Sequence, residues 1–250
     1  MARAPRITFD TNAWEQIFAD GASGTAGIWA ALVERRILGF ICETGLRIEA
    51  IQKKDRPAYF QQPYLDVQFG LAMQDGRPVI KLSMGPDDRR HPGLPPEQKA
   101  KLERALAVGV KLLRGGAWMG LPTPPEIRDG AHYVREEPQA AVERQNREID
   151  ISHQIEQRGV GKAAFDAEGG WEVRDRDAPA ERRLSKACAE WADGETVAAH
   201  VAYENDILCT NDEARGVGRS VFDAANRAWF IATRGVWFMS LGELAAMVAR

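Results

Sequence analysis

Short apolar runs alternate along this chain with stretches in which apolar side chains recur every three or four positions, the first pattern belonging to strands and the second to helices. Arg6-Ile7-Thr8-Phe9 is an apolar strand that runs into Asp10-Thr11-Asn12. A helix over Thr25 to Arg36 is expected next, with Ile28, Trp29, Leu32 and Val33 at helical spacing. Gly39 to Glu43 reads as a second strand, and Thr44 is placed to cap a helix through Leu46, Ile48, Glu49 and Ile51. The alternation resumes near the other end, with a helix through Val197, Ala198, Val201 and Ala202 and a strand over 206–210. A helix around Val221 to Thr233, a strand from Val236 to Ser240 and a helix from Leu241 complete it. Regular alternation of this kind predicts an α/β fold whose parallel sheet is covered on both faces.

The middle of the chain reads differently. Apolar runs at 66–73 and 78–84 flank Gln74-Asp75-Gly76-Arg77, and Asp-Gly between such runs signals a hairpin. Pro95-Pro96-Glu97 starts a helix expected to run towards Arg114, and a charged helix is expected at roughly 137–158. This divides the chain into a discontinuous core, 1–60 with 186–250, and an inserted α+β subdomain, 61–185, made of a β-hairpin and helices.

In a parallel α/β sheet, the carboxyl ends of the strands open onto a ligand crevice. Asp10 ends the first strand, and Asp212 ends the strand that begins Ile207-Leu208-Cys209. Glu49 lies on the helix after the second strand, and Asp193 is read as opening the helix that feeds strand 206–210. Glu43 competes with Glu49, and Glu195 with Asp193. Asp10 before Thr-Asn also suits a plain helix cap. Carboxylates gathered in one crevice repel each other unless a cation sits between them, and oxygen ligands without His or Cys favour Mg²⁺ or Mn²⁺. His91, His132, His153 and His200 have no partner spacing for zinc, and His200 is expected to be packed.

Composition narrows the setting. Of 250 residues, 44% are hydrophobic and 28% charged, which favours a folded chain over disorder. No apolar run approaches the roughly 20 residues of a membrane span, and no apolar signal core precedes the first strand, so a cytoplasmic protein without membrane contact is expected. Cys42, Cys188 and Cys209 are an odd, dispersed set, read as buried thiols in a reducing compartment. A net charge of −3 gives no overall basic surface, but bases outnumber acids from Arg77 to Arg114.

Four pieces of this sequence, in order, resemble the PIN-domain family of metal-dependent ribonucleases. They are Ile7-Thr8-Phe9-Asp10-Thr11-Asn12, the acid Glu49, the stretch Asp193 to His200, and Ile207 to Asp212. The resemblance covers about the first 55 and last 60 residues, and the additional length falls between Glu49 and Asp193. It implies a three-layer α/β/α fold, an acidic pocket binding Mg²⁺ or Mn²⁺ through Asp10, Glu49, Asp193 and Asp212, and endonucleolytic hydrolysis of RNA phosphodiesters. On this reading Asn12 and Thr210 donate hydrogen bonds that fix carboxylate or phosphate oxygens. Arg89, Arg90, Lys99 and Lys101 of the insertion, or Lys53 to Arg56, hold the substrate backbone. The family further implies a toxin-type or defence nuclease, with an antitoxin or other protein partner and a second copy of the chain as partners. Two other readings compete: a PIN-like binding or scaffold protein without turnover, and a phosphatase of the haloacid dehalogenase type. The latter requires a second Asp where this chain has Asn12.

Overall fold

The computed structural model describes residues 3–21, 23–49, 51–52, 56, 65–74, 77–86, 91–116, 122–170, 177–214 and 220–249. Strands β1 (Arg6–Phe9), β2 (Leu38–Cys42), β5 (Lys111–Leu113), β6 (Ile207–Cys209) and β7 (Trp237–Met239) form one parallel sheet in the order β5-β2-β1-β6-β7. Two further strands, β3 (Leu65–Gln74) and β4 (Arg77–Pro86), form a separate antiparallel hairpin at the expected place.

Both faces of the parallel sheet are buried, and the two-residue period of the strands sorts its side chains between them. Ile7 and Phe9 of β1, Ile41 of β2, Leu112 of β5 and Ile207 and Cys209 of β6 enter one core. They pack there with α1 (Thr11–Ile17), α2 (Ala26–Val33), α4 (Pro96–Ala107) and α9 (Leu241–Val248). Phe40, Cys42, Leu113 and Leu208 point to the opposite face. That face is covered by α5 (Pro138–Gln157), α7 (Ala178–Ala202) and α8 (Ala224–Arg234). The chain is thus a parallel α/β sheet flanked by helices. On the second face Thr8 bonds the ring of His200 at 2.9 Å and the amide of Asn205 at 2.8 Å. His200 is packed, as expected, and burial lowers its pKa to about 3, which keeps it neutral.

Three elements differ from the sequence expectation. The helix begun at Pro95-Pro96 stops at Ala107 because Gly109 turns the chain at φ +89°, and Lys111–Leu113 then joins the sheet beside β2. The sheet therefore draws an edge strand from within 61–185, and α4 and α5 cover its two faces, so that segment is largely continuous with the core. Only the β3–β4 hairpin stands apart among the described elements. Asp193 does not open a helix; it lies inside the 25-residue α7, whose N-cap is Asp177. The helix runs through Gly194, where Gly161, the N-cap of α6 (Lys162–Ala167), packs against it: a Cβ on Gly194 would lie 3.2 Å from the Gly161 Cα. Finally, the seven-residue α1 follows β1 directly, with Asp10 as its N-cap.

Candidate active site

The strand order reverses at β1: the chain leaves it towards β2 on one side and returns through β6 on the other, which makes the carboxyl ends of β1 and β6 the switch point where α/β sheets bind ligands. Phe9 pairs with Cys209, so Asp10 and Thr210 leave the sheet side by side. A cleft of about 400 Å³ opens there, and Asp10, Asp193 and Asp212 all line it. Asp193 reaches it from the middle of α7, where Ala189, Ala192 and Thr196 at helical spacing share its face. Gly45 of α3 (Glu43–Glu49) forms the wall opposite α1, and a Cβ there would come within 2.7 Å of the Thr11 hydroxyl.

Both carboxylate oxygens of Asp10 are engaged. Its Oδ1 accepts the Thr11 amide at 2.7 Å, and its Oδ2 accepts Asn12 Nδ2 and Thr210 Oγ1, both at 2.8 Å. The same Thr210 oxygen accepts the Asp212 amide at 3.1 Å, and Asn12 Oδ1 accepts the Asn211 amide at 2.9 Å. Asn12 and Thr210 thereby tie the turn after β6 to the carboxylate after β1. As cap of α1 Asp10 also sits at the positive end of a helix. The carboxylate of Asp212 accepts the Ala214 amide at 2.7 Å.

Two charged residues of the site were not singled out from the sequence. Glu15 lines the cleft one turn beyond Asn12, and only the unexpected α1 places it there. Its carboxylate accepts Gln98 Nε2 at 3.0 Å and pairs with Lys101 Nζ at 3.2 Å. Arg227 of α8 donates to the Asp212 carbonyl and lies over the Phe238 ring at 5.0 Å, facing Asp212, Glu213, Glu243 and Asp10. Burial lowers its pKa and these acids raise it. A half-buried cation fixed beside the acids offsets part of their mutual repulsion.

The remaining sequence candidates fall elsewhere. Glu49 closes α3, and its side chain lies outside the described residues. Glu43 is buried away from the cleft, holding the Tyr133 hydroxyl at 2.6 Å, the Gly115 amide at 3.0 Å and Arg47 at 3.2 Å. Glu195 faces the seam between α5 and α7, where Trp191 Nε1 and Ser152 Oγ each donate to it at 3.4 Å. Lys101 is nearly buried and committed to Glu15 and Glu97, and Lys99 is exposed on a different groove. Arg89, Arg90 and Lys53 to Asp55 lie outside the described residues, and Arg56 is buried, donating to the Ile51 carbonyl. On the carboxyl edge of the sheet, Arg114 follows β5 directly and stacks over Tyr133 at 4.2 Å. Together with Arg135 it lines a 520 Å³ pocket.

The cleft offers only oxygen donors, and its lining among the described residues includes no base. Among the described residues no three acidic, histidine or cysteine side chains stand close enough to share one ion. Mg²⁺ keeps several of its waters and binds through one or two carboxylates, so the type of donor present, though no three cluster among the described residues, is the type a hydrated hard cation takes. The three cysteines are free and buried, and no helix among the described residues is long and apolar enough to cross a membrane. No known protein family, characterised protein or solved structure matches the chain.

The seam beside the cleft makes a prediction of its own. Burial, and the neighbouring Glu195 and Glu43 charges, push the Glu148 carboxyl up to about 8 although Arg144 lies 2.6 Å away and pulls it down. Burial pushes Glu195 up to about 7, against the pull of its donors. The folded chain holds both protons where the unfolded chain, with ordinary carboxyls near 4.5, has released them. Stability from this seam is thus complete below the unfolded value and is lost as pH rises towards 8. Thermal unfolding is expected to show a falling midpoint between pH 5 and 8, and Glu148→Gln should flatten that slope; an unchanged slope refutes the assignment.

Proposed function

We propose that this chain is a PIN-like, metal-dependent endoribonuclease. The observation that carries the reading is that Asp10, Asp193 and Asp212, from three separate elements, line one cleft at the switch point of a parallel sheet. RNA as substrate comes from the resemblance to PIN domains. A divalent cation held, with its own waters, by one or two of Asp10, Asp193 and Asp212 would activate a water and offset charge developing on the phosphate. The side chains do the positioning. Three donors fix the oxygens of Asp10, Asn12 and Thr210 being two of the donor groups. Arg114 and Arg135, on the same edge of the sheet and without a carboxylate partner among the described residues, are suited to hold the phosphate backbone.

A PIN-like binding protein without turnover is the second reading, favoured by the spacing of the acids. A phosphatase of the haloacid dehalogenase type is disfavoured, because Asn12 is an amide whose oxygen and nitrogen are both engaged.

The deciding experiment incubates the protein with single-stranded and hairpin RNA, and with DNA of the same sequences, in Mn²⁺ or in EDTA. Cleavage of RNA in Mn²⁺, lost in EDTA and in Asp212→Asn, is expected. Arg114→Ala is expected to raise KM with kcat retained. No cleavage under any condition favours the binding protein.

A further inference from the structure

The β3–β4 hairpin carries a row of apolar cross-strand pairs with nothing else from the described residues packed on it. Phe69 stands opposite Leu82, Leu71 opposite Ile80 and Met73 opposite Pro78. The two-residue period puts these six on one face. Phe69 is 77% exposed, Leu71 81%, Met73 69%, Ile80 74% and Leu82 62%. The other large exposed apolar side chains, among them Val33, Val142 and Trp237, lie on separate elements. A lone two-stranded ribbon is marginal in water, and a contiguous apolar patch of this size marks a contact surface.

We propose that this face is the interface through which two copies of the chain pair, ribbon face on ribbon face. The charge pattern fits a second copy. The six face positions carry no charge, so a two-fold axis near the central Leu71–Ile80 pair opposes no like charges, and it brings the same apolar row of each copy onto the other. The area fits as well. Five side chains of this size and exposure present roughly 600 Å² per copy, so mutual burial removes about 1,200 Å², within the range of specific interfaces. Two ribbons stacked about 10 Å apart make a small β-sandwich, which is how such faces are buried within single chains. A lipid surface suits the face less, because 65–86 contains no Trp or Tyr, the residues that seat a segment at a bilayer interface.

The test is sedimentation velocity of the full chain over about 1 to 100 µM, a range that resolves micromolar association. The wild type is expected to reach twice its 27.7 kDa. Leu71→Glu should weaken self-association at least about thirtyfold, as expected for a charge placed at the centre of an interface. Its core should unfold at an unchanged temperature, since Leu71 faces solvent in the single chain. A second readout needs no variant: hydrogen exchange at 65–74 and 77–86 in the wild type should slow as concentration rises. A wild type that stays at 27.7 kDa, an assembly that Leu71→Glu leaves intact, or hairpin exchange indifferent to concentration overturns the proposal. So does binding of a monomer to phosphatidylglycerol vesicles.

Discussion

Asp10→Asn is expected to lower kcat/KM for RNA cleavage on the order of a thousandfold, about 4 kcal/mol of transition-state stabilisation. The substitution keeps the shape and removes the charge. The carboxamide oxygen of the new side chain can still accept the Thr11 amide, so the cap of α1 survives. In place of Oδ2 an NH₂ group would meet two donors. Thr210 can turn its hydroxyl to accept, but Asn12 cannot, because its own oxygen already accepts the Asn211 amide. One hydrogen bond is lost, costing about 1–2 kcal/mol, and relief of repulsion among the cleft acids offsets part of that. Activity should therefore collapse while the thermal midpoint moves by a few degrees. Steady-state kinetics and calorimetry on the same preparation separate the two effects; cleavage that persists in Asp10→Asn would remove this residue from the chemistry.

The largest loss of stability is expected from Trp191→Ala. Trp191 is almost completely buried, with its ring 5.0 Å from that of Phe165 and its indole N–H on Glu195. It packs with Ile48 and Ile51 around α3 and with Leu184 and Cys188 of its own helix. Truncation leaves a cavity costing about 3–5 kcal/mol, which lowers the unfolding midpoint by roughly 10 °C in a chain of this length. It also strips a donor from a carboxyl already pushed up by burial, so the loss should be greater at pH 8 than at pH 6. Trp191→Phe should recover most of the packing and none of the hydrogen bond. The consequence reaches the cleft, because Trp191 seats the stretch of α7 that carries Asp193 against α3, whose Ile48 is part of the cleft wall. Denaturant melts of both variants at two pH values check this; equal losses for Phe and Ala would show that the contact with Glu195, and not the ring, matters.

What the sequence alone determined is local. Apolar runs ending in polar residues located β1, β2, β6 and β7, and two runs around Gln74–Arg77 located the hairpin, because pleating and tight turns are written in neighbouring residues. Asp10 and Asp212 could be brought together in advance because each follows such a strand. Tertiary structure alone decided the rest. Three residues, Lys111–Leu113, are too few to show a period and become a strand only by pairing with β2. Asp193 reads as the start of a helix, yet α7 is capped by Asp177 and runs through Asp193 and Gly194, where another glycine, Gly161, approaches closely from a distant turn. Which acids meet in the cleft followed from the same long-range packing. Glu43 competes with Glu49 and Glu195 with Asp193, but Tyr133, Gly115, Trp191 and Ser152 draw them into buried hydrogen bonds elsewhere. Lys101 has the charge of a phosphate ligand, but Glu15, one turn along a helix that its own residues barely announce, takes it first. A carboxylate or an ammonium is a chemical capacity until its partners are in place, and of those partners Ser152, Tyr133 and Thr210 stand 43 to 200 residues away in the chain.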